Sequence, residues 1–282
     1  MHRRAQPWLG TLVAVSVQAH DQACFNRASD AAFARIRAIH RAMSFHEAGS
    51  DVRAIARASE GAVLKVSTDT WHTLALALEM EQASSGVFNA ALAPALVARA
   101  QLPWPDDAQP AGAHSLHEGI ALEADGHVRI LASIWIDLGG IAKGVAVDAA
   151  VDVLIAQGVP TGIVNAGGDL KVFGDMSQTL WVRWPDDPAQ LMPMAEIQDL
   201  ACATTGGYFL AGDASAALGH PAIIGQAMGL VPWSVSVMAA SCAVADALTK
   251  VVWLDPQGAP ALLARYDARA ALLDGQGHVQ QI

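Results

Sequence analysis

Asp246, Thr249 and Lys250 stand at i, i+3 and i+4, so on a helix they share one face. A carboxylate and a hydroxyl so spaced can offer oxygens to a hard divalent cation such as Mg²⁺. The same spacing also suits a plain Asp–Lys pair, worth only about 0.2–0.5 kcal/mol on an exposed helix. Val244, Ala245, Leu248, Val251 and Val252 predict that much of this helix is buried, and a buried Asp needs a partner. A second group of chemically able residues surrounds two glycine turns, Asp137-Leu-Gly-Gly140 and Asn165-Ala-Gly-Gly-Asp169, with Lys143 just beyond the first. Glycines there let a backbone bend and approach a ligand, and a helix starting at Ala142 would aim free N–H groups and its positive end at the same place. Such a place suits an anion, above all a pyrophosphate, with Lys143 as its contact or as an ordinary exposed lysine. Asp137 and Asp169 end apolar strands, where loops gather ligands; Asp148 is either solvated or caps a neighbouring loop. The spacing is neither that of a P-loop nor that of a dinucleotide fingerprint. No histidine pair has metal-ligand spacing, and there is no Gly-x-Ser-x-Gly elbow.

These residues need elements to hold them. Ile134, Ile136 and Leu138 read as a short strand feeding Gly139-Gly140. The following helix, from Ala142 to Gln157, should bury Val147, Val151, Leu154 and Ile155 and stop at Gly158. Upstream, Leu12, Ala14 and Ser16 alternate with Val13, Val15 and Val17 as a first strand. Residues 21–43 carry Phe25, Phe33, Ile36, Ile39 and Met43 at helical spacing. A polar loop from Met43 to Ser50 and a helix capped at Thr68-Asp69 come next. Then Phe88-Asn-Ala-Ala91 forms a loop, and two alternating runs meet at Asp125-Gly126, a hairpin signal. Strands are expected at Leu170–Phe173, Leu180–Trp184, Leu200–Thr204 and Trp233–Ala239, and Ser241 as the cap of the helix bearing Asp246. The expected fold is α+β: a single compact unit over 1–282, of two lobes, with mixed or antiparallel sheets and packed helices.

Composition narrows the partners. The chain has 282 residues, 53% of them hydrophobic, and a formal net charge of −10 with scattered basic residues, which argues against a nucleic-acid groove. Cys24, Cys202 and Cys242 fit neither a disulfide framework nor a zinc site. No run reaches the roughly 18 apolar residues of a membrane span. Arg3-Arg4 before an apolar stretch has the look of a short signal peptide, but the β-alternation and the lack of a lipoprotein cysteine favour a cytoplasmic location, with periplasmic as the alternative.

Together, Gly10-Thr11, Met43-Ser44 with Ser50, Asp137 to Asp148, Asn165 to Asp169, Ala203-Thr-Thr-Gly-Gly-Tyr208, Ser234-Val-Ser-Val237 and Ala245-Asp-Ala-Leu248 occur in the order seen in the ApbE family, FAD:protein FMN transferases, which the chain resembles over nearly its whole length. The resemblance implies FAD as substrate, bound between the two lobes, and Mg²⁺-dependent transfer of its FMN half to a threonine hydroxyl of an acceptor flavoprotein, with release of AMP. Catalytically impaired FAD binding, or hydrolysis of FAD to FMN and AMP, are the alternatives. By the resemblance, Leu9, His46, Asn89, Ala90, Ala91, Asp137, Lys143, Asp169, Thr204 and Ile224 would contact FAD. Gly140, Asp246 and Thr249 would hold the metal, and His220 with Asp246 would be catalytic. The chain departs from the family at Lys250, where a threonine is usual, at Asn89-Ala90-Ala91, where Asp-Pro-Thr is usual, and after His220, where an Asp-Pro is missing.

Overall fold

A computed structural model describes residues 1–185, 187, 189–206 and 232–282. In chain order the elements begin with β1 (His2–Trp8), β2 (Thr11–Gln18), α1 (Gln22–Met43), α2 (Asp51–Arg57), β3 (Val63–Lys65), α3 (Thr68–Ala83) and α4 (Ala93–Ala98). There follow α5 (Leu116–Gly119), β4 (Ile120–Glu123), β5 (His127–Ile130), α6 (Ala142–Ala156), β6 (Thr161–Ala166), β7 (Asp169–Phe173), β8 (Ser177–Arg183) and β9 (Leu191–Gln198). The last are β10 (Ala201–Gly206), β11 (Ser234–Ala239), α7 (Cys242–Leu254), α8 (Ala259–Arg265), β12 (Arg269–Leu273) and β13 (Val279–Gln281). The chain divides into two units: unit 1 holds residues 1–37 with the described part of 143–282, and unit 2 holds residues 38–142.

Unit 1 is built on an eight-stranded sheet of order β1-β2-β6-β7-β10-β11-β12-β13, every neighbouring pair antiparallel. Strand alternation sorts its two faces. Val13, Val15 and Val17 of β2 are fully buried against Phe25, Phe33 and Ile36 of α1 and Val147, Val151 and Leu154 of α6. Each such side chain contributes roughly 1.5–3 kcal/mol by leaving water. On the opposite face Leu12, Ala14, Ile163, Asn165 and Leu170, with the β8–β9 hairpin, line a cavity of about 650 Å³. Unit 2 carries the small sheet β3-β5-β4 and a core in which Phe45, Ala56, Ala93 and Trp135 meet. No helix among the described residues is long and apolar enough to cross a membrane.

Several expectations are met closely. The alternating runs around Asp125-Gly126 form the β4–β5 hairpin, Gly158 takes φ +80° just past α6, and Ser241 caps α7. Others are corrected. Residues 134–138 form no strand: Ile134, Trp135, Ile136 and Leu138 are all buried, and Asp137 N–H donates to the Ala90 carbonyl at 2.9 Å without a ladder forming. Continuous burial made that stretch look like a strand. Ile155 is 53% exposed although it follows buried Val151 by one turn, since it stands at the C-terminal end of α6, one residue before the helix stops at Ala156. The α3 cap is Ser67, one residue earlier than Thr68, its hydroxyl accepting from Thr70 N–H at 3.2 Å. Arg3 and Arg4 belong to β1, paired with Ser16 and Val15.

Candidate functional site

The site of unit 1 is assembled from four elements, α6, β7, β10 and α7, and α7 is the one that must be held most firmly. Its first turn exposes amides that need acceptors. Ser241 Oγ accepts from Val244 N–H at 3.3 Å. Asp148, on α6, accepts from Cys242 N–H and Ala243 N–H, both at 3.0 Å, and from Ser241 Oγ at 2.8 Å, while Lys171 of β7 pairs with it at 2.9 Å. Of the two roles open to Asp148, capping is the one observed. The helices touch at Gly144, where an added Cβ would lie 2.3 Å from the Cys242 carbonyl oxygen. Only glycine admits that approach.

Pinned in this way, α7 carries Asp246 into full burial. Its Oδ2 accepts from Gly144 N–H at 3.2 Å and lies 3.4 Å from Lys143 Nζ. Its Oδ1 is bonded to Lys250, whose ammonium also donates to the Asp246 carbonyl at 2.9 Å. The N-terminus of α6, expected to point free amides at an anion, therefore already gives one to the protein's own carboxylate. Lys143 reaches a second carboxylate, Asp169, with Nζ 2.9 Å from Oδ2. That oxygen is buried, and the Lys143 ammonium is the charge that faces it. Asp169 Oδ1 accepts from Thr204 N–H at 3.2 Å.

The electrostatics follow from burial and neighbours. Burial alone would raise Asp246, but Lys143, Lys250 and the Gly144 amide outweigh it and hold the carboxyl below its usual range. Burial raises Asp169, with Lys143 opposing. Lys143 loses from burial but is held well above its usual value by Asp169 and Asp246. Lys143 is 29% exposed and Lys250 17%, whereas Asp246 is 0% and Asp169 3%, so the lysine side chains are the more accessible members of the cluster and the carboxylates are buried. An anionic ligand fits that polarity.

Asp169 starts β7 after a two-residue turn at Gly167 (φ +69°) and Gly168 (φ +109°), closed by Gly168 N–H to Asn165 Oδ1 at 3.0 Å. A Cβ at Gly167 would strike Thr11 Oγ1 at 2.4 Å. The β1–β2 turn contains Leu9 at φ +57°, a left-handed conformation uncommon for a side chain of its size. In unit 2, Asn89 Oδ1 accepts from Ala91 N–H at 2.7 Å and its Nδ2 donates to the His114 carbonyl at 2.7 Å, and Ala90 is tied to Asp137. His46 is exposed, one residue after buried Phe45. The structure thus brings together Lys143, Asp169, Asp246 and Thr249 in unit 1, where Thr204 joins only through its main-chain N–H while its hydroxyl bonds Ser236 on the other face of the sheet, and Asn89, Ala90, Ala91 and Asp137 in unit 2. His220 and Ile224 lie outside the described residues.

The metal ligands suggested by the resemblance can be tested against this arrangement. Thr249 Oγ1 donates to the Asp246 carbonyl at 2.7 Å and bonds Thr205 Oγ1 at 2.8 Å. Both Asp246 carboxylate oxygens and its main-chain oxygen already receive donors. Two carboxylates facing two ammonium groups leave no net negative charge for a divalent ion, and no group of three or more His, Cys, Asp or Glu suited to a metal occurs among the described residues. As arranged, Asp246 and Thr249 do not fit Mg²⁺. Two supporting residues are not found by motif reading. Thr205 alternates with Thr204 along β10 and so faces α7, a signal that strand period alone could supply. Lys171 follows from the same alternation, beside Asp169 on the helix-bearing face of β7.

Comparison with known proteins places this geometry. The ApbE family model matches residues 9–273. No curated protein sequence matches the chain. Among solved structures, the flavinyl transferase ApbE of Pseudomonas stutzeri in its apo form is similar at TM-score 0.79 and 20% identity, covering 100% of this chain and 93% of that one. The flavin transferase ApbE of Vibrio cholerae is similar at 0.77 and 18%, covering 100% and 96%. The ApbE protein of Thermotoga maritima is similar at 0.78 and 20%, covering 99% and 96%. At these identities the solved structures speak for the fold, and the family model, matched over most of the length, speaks for descent: the chain belongs to the ApbE family.

Proposed function

We propose that the protein transfers the FMN half of FAD to a threonine hydroxyl of an acceptor flavoprotein and releases AMP. The observation that carries this reading is the partly exposed pair Lys143 and Lys250 bonded to buried Asp169 and Asp246, in a chain of a family whose structural relatives are flavin transferases. In the reaction the threonine oxygen forms a bond to the FMN phosphorus and the pyrophosphate P–O bond breaks. AMP leaves with the bridging oxygen, and the hydroxyl proton passes to a base. Lys143 and Lys250 meet the diphosphate charge, which grows on the leaving phosphate as the bond breaks. Asp246 and Asp169 hold the ammonium groups in place and keep them charged.

The residues that would contact FAD are Leu9, Lys143, Asp169 and Thr204 in unit 1, His46, Asn89, Ala90, Ala91 and Asp137 in unit 2, and Ile224. His220 is the group proposed to take the hydroxyl proton. Mg²⁺ with Gly140 as a main-chain ligand is what the family resemblance implies, whereas both carboxylate oxygens of Asp246 already receive protein donors. The test is incubation of the purified chain with FAD and an acceptor flavoprotein domain, followed by intact mass of the acceptor. A gain of one FMN supports transfer, free FMN with AMP shows hydrolysis instead, and unchanged FAD refutes both.

A further inference from the structure

We infer that Lys250 takes the position of a divalent cation, so that this chain binds the diphosphate of its ligand through a built-in ammonium and without a metal ion. The inference uses the flavin-transfer reading for the identity of the ligand, but its claim about the cation rests on unit 1 alone. A hard cation bound to α7 would take the two oxygens that Asp246 directs to one side, its Oδ1 and its main-chain carbonyl. Lys250 Nζ already occupies both. The i, i+4 spacing brings the ammonium back over the preceding turn, and full burial of Asp246 gives that carboxylate no water with which to trade the contact.

The hydroxyl beside it is committed elsewhere. Thr249 Oγ1 lies between the Asp246 carbonyl at 2.7 Å and Thr205 Oγ1 at 2.8 Å, both buried, and so points its lone pairs into the β10 contact. On the other carboxylate oxygen, Gly144 N–H and Lys143 complete the set of donors. A divalent ion entering here would have to expel an ammonium from a buried ion pair and then sit beside Lys143, a like charge within a few ångströms. Lys250 is itself partly exposed, so its remaining N–H can reach a phosphate oxygen while the carboxylate holds it from behind. An ammonium carries one charge to the metal's two, and Lys143 supplies the second.

The test is Mn²⁺ binding to the full chain by electron paramagnetic resonance, beside FAD titration in EDTA and in Mg²⁺. The wild-type chain is expected to leave Mn²⁺ free at millimolar concentration and to bind FAD equally well in the two buffers. Lys250→Thr is expected to gain a Mn²⁺ site, tighter than wild type by at least about tenfold once the repelling charge is gone. That site should vanish in Lys250→Thr combined with Asp246→Asn. Lys250→Met, which keeps length and apolar packing, serves the same purpose should the threonine variant not fold. Mn²⁺ bound to wild type and lost in Asp246→Asn overturns the inference. So does failure of both Lys250 variants, once shown to be folded, to gain a site, since Lys250 would then not be what fills a cation position. Lack of FAD binding in either buffer refutes the flavin reading, and the Mn²⁺ comparison still decides this one.

Discussion

Replacing Asp148 with alanine removes the acceptor from the first turn of α7 while leaving every residue of that helix in place. Cys242 and Ala243 lose charge-assisted bonds of 3.0 Å, and the Ser241 hydroxyl and Lys171 ammonium lose partners at 2.8 and 2.9 Å. Each amide bond to a charged acceptor is worth about 1.5 kcal/mol at the low end of its range, and the partly exposed Lys171 pair adds less than about 1 kcal/mol. The expected cost is about 3 kcal/mol, or a fall of roughly 6–12 °C in melting temperature for a body of this size. Calorimetry of wild type, Asp148→Ala and Asp152→Ala measures it. Asp152 is exposed on the same helix one turn later, so its loss changes the charge of α6 equally but uncaps nothing. Its expected effect is within about 0.5 kcal/mol. Because α7 carries Asp246 and Lys250, Asp148→Ala should also weaken FAD binding without touching a ligand-facing side chain. A loss below about 1 kcal/mol, or an equal loss in both variants, would refute the capping argument.

Gly144→Ala should destabilise unit 1 by about 3 kcal/mol or more, since the new methyl meets backbone rather than a side chain that can turn away; a melting temperature equal to wild type would disprove the close contact. Burial pushes the Cys202 thiol up to about 12 and Cys242 well above its usual value, whereas Cys24 is partly exposed. A thiol reagent at pH 8 should therefore label Cys24 in the native protein and all three cysteines only after denaturation, as read by peptide mass. Asp246 has a carboxyl held below its unfolded value, so its contribution is present above about pH 4 and is lost as pH falls through the folded value. Asp246→Asn should accordingly be less stable than wild type at pH 7, with the gap narrowing in acid. A gap that widens below pH 4 would contradict the sign.

What the sequence disclosed depended on whether the cue was local. The helix of Asp246 announced itself through Ser241 and a nearly unbroken apolar face, and the β4–β5 hairpin through Asp125-Gly126. β1 did not, because the side it turns toward the protein carries His2, Arg4 and Gln6, which mimic a solvated segment. β9 was hidden by Pro193, tolerated in a two-stranded sheet but discouraging in a sequence. In the site, each charged residue could be picked out, yet their pairing could not. Lys143, Asp169 and Asp246 come from a helix, a strand and a second helix far apart in the chain, and only the sheet order brings them together. The resemblance to a family supplied the grouping, and the i, i+4 spacing alone offered the Asp246–Lys250 pair that the structure forms.

The order of strands also governs how the chain must fold. β2 lies beside β6, pairing Ala14 with Asn165, so the centre of the large sheet cannot form until residues 38–142 have been spanned. In an open coil that closure is entropically slow, and it becomes easier once the intervening segment has collapsed on its own small sheet and the core around Phe45 and Trp135. Unit 2 is in this sense an insertion in the chain of its host, and Lys143, the first residue after it, pairs with Asp169 of β7 and Asp246 of α7, which the chain reaches only later.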